Sequence, residues 1–175
     1  MSFSYDTKNE LCRLPVQKLC CARAEAYGIL LFCNTFSATE VRIITETPHF
    51  AARLPKLFRR AFNLQFDRQP EPEQEEGKRI FQITDQKKLD HIINLLGFDP
   101  QQNLVLHINF GMVEETCDRA AFLRGAFFAG GSITDPQKRY HLELTTSHLQ
   151  VSRELDSLLV ECGYPPKSVS RSGSF

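Results

Sequence analysis

Apolar residues recur with helical spacing in six stretches of the chain and alternate with polar residues in several shorter ones. The clearest helical stretch is "DQKKLDHIINLLGF", where Leu89, Ile92, Ile93 and Leu96 share one face and Gly97 ends the pattern. Short alternating runs such as "RIFQIT" are typical of strands with one buried face. The patterns predict helices near 4–14, 19–35, 49–63, 85–98, 116–130 and 147–162, and strands near 39–47, 64–68, 79–84 and 139–146.

Two segments between these elements differ from them in composition. "RQPEPEQEEGK", residues 68–78, is rich in proline and glutamate and contains no apolar side chain able to join a core. We therefore expect it to be a solvated loop. "NLVLHINF", residues 103–110, is apolar enough to form either an extended strand or a bridge between its neighbours.

The order of the predicted elements repeats along the chain. Cys20–Phe36 aligns without gaps with Cys117–Ile133, which places Gly28 over Gly125. After a four-residue insertion, "EVRIITET" lies over "HLELTTSH", and the helices that follow also align. The agreement in order indicates an internal duplication, with two unrelated α+β segments as the alternative.

The duplication predicts how the chain is divided. We expect an N-terminal helix at 1–18, a first repeat at 19–98, a linker at 99–115 and a second repeat at 116–175. The first repeat contains a strand and a helix that have no counterpart in the second. We therefore expect the second repeat to be incomplete and the chain to be a piece of a longer protein.

Small residues mark one face of the first helix in each repeat. Ala121, Gly125 and Ala129 are spaced by four, and Ala24 and Gly28 repeat that spacing. Such residues let two helix backbones approach closely, for steric reasons that hold in any environment. Because an interior glycine costs about 1 kcal/mol of helix propensity, a positional reason for it is expected. The spacing predicts two helices packed about a pseudo-twofold axis, each leading into its own sheet.

The end of the second of these helices carries a recognisable motif. "LRGAFFAGGSI" resembles the LAGLIDADG motif of homing endonucleases at Leu123, Gly125, Ala129 and Gly131, whereas "AYGILLFCNTF" matches it mainly at Gly28. The resemblance implies an α+β fold of two pseudo-symmetric halves, with small antiparallel sheets around a central helix pair. It also implies a saddle of sheets over DNA and an acidic residue at the penultimate motif position that holds metal ions.

This chain departs from the motif at the acidic position. Cys33 and Gly130 stand there, and neither is a carboxylate. Cleavage of DNA with hard cations requires oxygen ligands. The resemblance therefore implies a retained scaffold that is not an enzyme, and the alternative is a divergent endonuclease that uses other ligands.

A second resemblance covers essentially the whole chain. "MSFSYDTKNELCRL", the adjacent Cys20 and Cys21, and "AAFLRGAFFAGGSITDPQKRYHLEL" are similar to the WhiA family of bacterial sporulation regulators. This resemblance implies a DNA-binding transcription regulator of sporulation and cell division, located in the cytoplasm at the nucleoid. It also implies a C-terminal helix-turn-helix domain, which we expect to be absent from these 175 residues. DNA is the expected partner, partner regulatory proteins are possible, and an interaction module without DNA contact is a further alternative.

Basic residues on the predicted solvent faces are the candidates for DNA contact. They lie on strands, beside the acidic loop or at a hairpin turn, where phosphate is accessible. The candidates are Arg42, Arg68, Arg79, Lys138, Arg139 and His141. An ordinary mixed-charge surface is the alternative, since Glu46 and Glu143 share these faces and repel phosphate.

Two further expectations concern which side chains are buried. Strict alternation along residues 139–146 predicts that Tyr140, Leu142 and Leu144 face inward. On "ARLPKLFRRAF", the basic side chains predict a solvated helix face, with contact to DNA or an acidic partner as the alternative.

Composition excludes several classes of protein. The formal charge is zero, and only residues 1–69 lean basic, with ten Lys and Arg against six Asp and Glu. There is no apolar run long enough for a membrane span and no secretory signal pattern. The six cysteines form no CxxC pair and lie near no histidine at zinc spacing, so we expect reduced thiols, no metal and no cofactor. P-loop, GxGxxG, HExxH and GxSxG motifs are missing, so no small-molecule substrate is expected.

Overall fold

In the computed structural model, which describes residues 2–16 and 18–175, helices and short strands alternate along the chain. The helices are α1 (Phe3–Leu11), α2 (Leu19–Phe32), α3 (Pro48–Phe62), α4 (Gln86–Leu95), α5 (Thr116–Gly130) and α6 (Leu149–Glu161). The strands are β1 (Thr35–Phe36), β2 (Val41–Thr45), β3 (Arg79–Ile83), β4 (Gly131–Ile133) and β5 (Leu142–Leu144). A single 3₁₀ turn, Phe110–Met112, precedes α5.

The predicted fold class is confirmed. β1, β2 and β3 form one antiparallel sheet in that order, and β4 and β5 form a second. Helices α2 and α5 pack against each other at the centre, and each leads directly into the sheet of its own half. Among the helices that the structure describes, none is long and apolar enough to cross a membrane.

Local sequence signals explain where the helices of the first half begin and end. α3 begins at Pro48, whose fixed φ suits the first helical position, and ends at Asn63 in the left-handed conformation. α4 begins after Asp85, whose carboxylate accepts hydrogen bonds from the backbone N–H groups of Lys87 and Lys88. Gly97, with φ of 87°, then turns the chain away from α4.

The strand predicted at residues 64–68 does not form, and of the two forms expected of residues 103–110 the structure has the bridge. Residues 64–68 contribute only an isolated bridge between Arg68 and Gln82, while Leu64 and Phe66 pack into the core. Residues 103–110 are not a strand either, because side chains provide their backbone partners. The Glu154 carboxylate accepts from Ile108 N–H at 2.6 Å, and the Tyr27 hydroxyl accepts from Asn109 N–H at 2.9 Å.

The second sheet is shorter than predicted, and its predicted inward face is only partly correct. Tyr140 is 92% exposed and Leu142 is 59% exposed, so both predictions of burial are wrong, while Leu144 is half-buried. Among the described residues, β5 has only β4 beside it in the sheet. The groove beside β5 is therefore open, and the apolar residues that line it include Leu123, Phe127, Leu155 and Leu159.

Helix α1 docks on the second sheet through Ser4. The Ser4 hydroxyl donates to the carbonyl of Ile133 at 2.9 Å and accepts from the N–H of Ile133 at 2.6 Å. One side chain thus satisfies both backbone groups at the end of β4, as a neighbouring strand would.

We expect the substitution Ser4→Ala to lower the free energy of unfolding by about 1–2 kcal/mol, because two partly buried backbone groups lose their partner. Urea denaturation followed by circular dichroism measures this. The matched control is Thr7→Ala, since the Thr7 hydroxyl donates only to the exposed carbonyl of Phe3 on the same helix. Equal losses in both variants would contradict the role of Ser4.

Candidate nucleic-acid interface

The central helix pair sets the relative position of the two sheets, and its two glycines lie at the closest approach. A Cβ atom added to Gly28 would overlap the Phe122 carbonyl oxygen and lie 2.8 Å from the Ala126 nitrogen. A Cβ atom on Gly125 would overlap the Glu25 carbonyl oxygen and lie 2.9 Å from its carbon. The two backbones are therefore in direct contact. The other small residues of the stripe are buried at Ala24 and Ala121 and half-buried at Ala129.

A buried ion network lies beside this crossing. Glu25 is fully buried, and its carboxylate accepts from Arg53 Nε at 2.8 Å and Arg53 Nη2 at 2.9 Å. Arg124 Nε donates to the same carboxylate at 2.5 Å. Arg53 Nη1 also donates to the carbonyls of Leu14 and Cys12. The network joins α2, α3, α5 and the segment after α1, so the orientation of both halves depends on it.

The predicted solvated face of α3 is wrong at Arg53. Arg53 is buried, whereas Lys56 and Arg59 on the same helix are exposed. Arg53 lies on the helix face of Phe50 and Leu57, which enter the core, and this spacing was the available signal.

The two helix ends show what stands where the homing-endonuclease motif has its acid. The Cys33 thiol donates to the carbonyls of Leu30 and Thr35, and burial raises the pKa of this thiol to about 12. At Gly130, a Cβ atom would overlap the carbonyl oxygen of Thr145 and lie 3.1 Å from Phe32 Cβ. A thiol that stays protonated and a position with no room for a side chain are both unsuited to holding Mg²⁺.

The solvent face of the first sheet presents two of the candidate cations in one row. The register pairs Arg42 with Thr35 on one side and with Gln82 on the other, and Gln82 bridges to Arg68. Arg42 Nε lies 3.1 Å from a Glu40 carboxylate oxygen, and Arg68 donates to the Gln82 amide oxygen at 3.2 Å. Both guanidinium groups remain open to solvent.

The prediction that Arg79 contacts DNA is wrong, because its side chain is not available to DNA. Arg79 is only 6% exposed, and its guanidinium donates to the backbone carbonyls of Glu46, Gln74, Glu75 and Gly77. It holds the acidic loop against the end of β2. The alternation of "RIFQI" places Arg79 on the same inward face as Phe81 and Ile83. The pattern thus indicates a buried position, but a charged side chain there was interpreted as exposed.

The second cluster of candidate cations lies at the turn between β4 and β5. Lys138 and Arg139 are exposed, and their backbone N–H groups donate to the Asp135 carbonyl. His141 is also exposed, with Nε2 3.6 Å from a carboxylate oxygen of Glu143. The turn therefore presents two cations and an imidazole, while Glu143 reduces the local positive charge.

Comparisons with known proteins agree with this geometry. Residues 119–175 match the WhiA LAGLIDADG-like domain. A probable cell division protein WhiA from Ruminiclostridium cellulolyticum is 32% identical over all of this chain and 58% of its own length. The chain thus spans less than two thirds of the curated relatives it matches.

Two solved structures share the fold. The crystal structure of the N-terminal LAGLIDADG domain of DUF199/WhiA has a TM-score of 0.71 and 16% identity, over 99% of this chain and 82% of that one. A variant of I-DmoI, in complex with its nicked target DNA and manganese, has a TM-score of 0.59 and 11% identity, over 90% of this chain and 87% of that one. These likenesses show a fold common to WhiA and homing endonucleases. The WhiA resemblance is thereby confirmed: residues 119–175 match the WhiA LAGLIDADG-like domain, and the whole chain is similar to proteins named WhiA.

Proposed function

We propose that this chain is the non-catalytic N-terminal part of a WhiA-type DNA-binding transcription regulator that acts in cell division and sporulation at the nucleoid. Residues 19–98 and 116–175 are its two repeats, and the sheet of each repeat contributes contacts to DNA. The relatives named as cell division proteins support the biological setting.

The observation that carries the proposal is the state of the two helix ends. Cys33 keeps its thiol buried and protonated, and Gly130 cannot accept a side chain without displacing the Thr145 carbonyl. The buried carboxylate nearest to the helix crossing, Glu25, is occupied by two arginines. Binding without cleavage is the activity that these contacts support. DNA cleavage by the purified chain with Mg²⁺ or Mn²⁺, lost on chelation, would contradict it.

DNA contact is supported by the two clusters of exposed cations and by the shared scaffold. Arg42 and Arg68 lie on the first sheet, and Lys138 and Arg139 lie at the turn of the second. Lysine and arginine at such positions bind the phosphate backbone and position a protein on DNA without reading its sequence. The related I-DmoI structure contains its target DNA.

We expect Lys138→Ala/Arg139→Ala to weaken DNA binding and to flatten the slope of log K against log salt by about 1 for each phosphate that the variant no longer neutralises. Fluorescence anisotropy with a labelled duplex at several salt concentrations measures both quantities. Lys56→Ala/Arg59→Ala removes the same charge from exposed positions on α3 and is the matched control. An unchanged slope in the first variant would remove the turn from the interface.

A second candidate function is contact with an acidic protein partner through a cleft between α2, α3 and α4. The cleft is lined by Arg23, Lys56, Arg59 and His91, and no carboxylate is among its lining residues. Binding of an acidic model peptide that is lost in Lys56→Ala/Arg59→Ala, but retained in Lys138→Ala/Arg139→Ala, would favour this function.

A further inference from the structure

A cluster of potential metal ligands lies away from the candidate interface, at the start of the two central helices. It consists of Cys20, Cys21, Cys117 and Asp118, and we call it the thiol cluster. Its three sulfur atoms and one carboxylate oxygen all lie within 4.8 Å of one another. The sequence pattern predicts ordinary reduced thiols here, because no two of these cysteines have the spacing of a zinc motif.

The internal duplication explains how the cluster is assembled. Cys20 and Cys21 are the second and third residues of α2, and Cys117 and Asp118 are the second and third residues of α5. The pseudo-twofold arrangement brings the two pairs together, although 97 residues separate them in the alignment. The alignment of Cys20 with Cys117 was therefore the sequence signal for this cluster.

The spacing of the ligand atoms suits a tetrahedral zinc ion. Zinc–sulfur bonds of about 2.3 Å place two sulfurs of a tetrahedral site about 3.8 Å apart. Cys20 Sγ and Cys21 Sγ are 3.9 Å apart, and Cys117 Sγ lies 3.8 Å from Asp118 Oδ1. The distance within each pair thus lies close to the edge length that zinc requires, and the distances between the pairs are at most 4.8 Å.

We propose that the thiol cluster binds one zinc ion, which joins the N-termini of α2 and α5. Three thiolates and a carboxylate form a closed four-ligand set, as expected of a structural site. On binding, each thiol releases its proton to solvent, and the complex then carries a net charge of about −2 for a divalent ion with four singly charged ligands.

The surroundings favour such an anionic complex. Neither α2 nor α5 has a side-chain hydrogen bond at its N-cap, although the Asp118 N–H of α5 donates to the Glu115 carbonyl. The positive ends of both helix dipoles favour the negative complex. Cys20 and Cys117 are exposed and provide an entry path, whereas Asp118 is only 7% exposed and anchors the site in the structure.

The experiment measures metal in the whole chain, purified under reducing conditions without chelator. We expect one zinc per chain by plasma mass spectrometry. Replacement by Co²⁺ should give the near-ultraviolet charge-transfer absorption of thiolate–cobalt bonds. Both signals should be lost in Cys20→Ser/Cys117→Ser, whose two side chains are exposed, and retained in Cys162→Ser, which changes a cysteine at the end of α6.

A second measurement separates loss of metal from loss of folding. Chelation should lower the Tm of the wild-type chain and leave the Tm of Cys20→Ser/Cys117→Ser unchanged, while circular dichroism shows that this variant remains folded. Several results would overturn the proposal. They are no thiolate–cobalt absorption in the reduced wild-type chain, equal absorption in the Cys20→Ser/Cys117→Ser variant, or a disulfide within the cluster in place of bound metal.

Discussion

Replacing Glu25 by alanine is expected to lower the free energy of unfolding by about 3–5 kcal/mol, since it leaves the buried Arg53 and the partly buried Arg124 without their counter-charge. Arg53 and Arg124 both donate to this carboxylate, and Glu25 itself has no exposed surface. Water cannot take the place of the carboxylate unless the packing of α2 against α3 and α5 opens. Chemical denaturation of the variant and the wild-type chain measures the difference.

The control for Glu25→Ala is an ion pair of the same chemical type at the surface. Glu40→Ala removes the partner of the exposed Arg42, and such pairs contribute about 0–1 kcal/mol. Similar losses of unfolding free energy in the two variants would contradict the prediction. They would mean that solvent reaches the Glu25 carboxylate and that its burial adds nothing to the loss.

A triple replacement separates the net contribution of this ion network to stability from the loss caused by removing only one of its members. Glu25→Met/Arg53→Met/Arg124→Met removes every charge together, and buried ion networks exchanged for apolar residues are often neutral or stabilising. We expect this variant to be more stable than Glu25→Ala. The comparison shows whether the ions stabilise the fold or specify how the helices are oriented.

Local signals predicted the bounds of helix α5 from the sequence, but they did not predict the burial of Arg53 on α3 or of Arg79 on β3. The predicted helix 116–130 has the bounds of α5, because its start and its double glycine are local features. The burial of Arg53 depends on Glu25, 28 positions away. Arg79 donates to the carbonyl of Glu46, 33 positions away, although its other carbonyl partners lie within five residues. A charged side chain on an inward face is visible in the pattern, but its compensating partner is not.

The second sheet shows the same limit for strands. Alternation along residues 139–146 predicted a longer strand with a buried face, yet only Leu142–Leu144 pairs with β4. Burial of that face requires elements packed on the open groove, which alternation within one strand cannot reveal. The thiol cluster was missed for a related reason, since its ligands come from two helices.

The substitution Gly125→Ala is expected to lower the free energy of unfolding by about 2–3 kcal/mol, although alanine is the better helix former by about 1 kcal/mol. The added Cβ would overlap the backbone carbonyl of Glu25, and a backbone atom cannot rotate away as a side chain can. Helices α2 and α5 must therefore move apart. Thermal and urea denaturation test the sign of the change, since a stabilised variant would mean that the crossing is loose.

The control and the double variant separate propensity from packing. Ala120→Gly, at an exposed position of the same helix, should cost about 1 kcal/mol through propensity alone. Gly28→Ala adds a Cβ at the same crossing, against the Phe122 carbonyl. Because one displacement of the helices relieves both overlaps, Gly28→Ala/Gly125→Ala should cost less than the sum of the single variants. The same displacement changes the distance between the two sheets, so a folded Gly125→Ala variant should also bind DNA more weakly. A double variant whose loss of unfolding free energy equals the sum of the single losses, with unchanged DNA binding, would contradict a shared crossing.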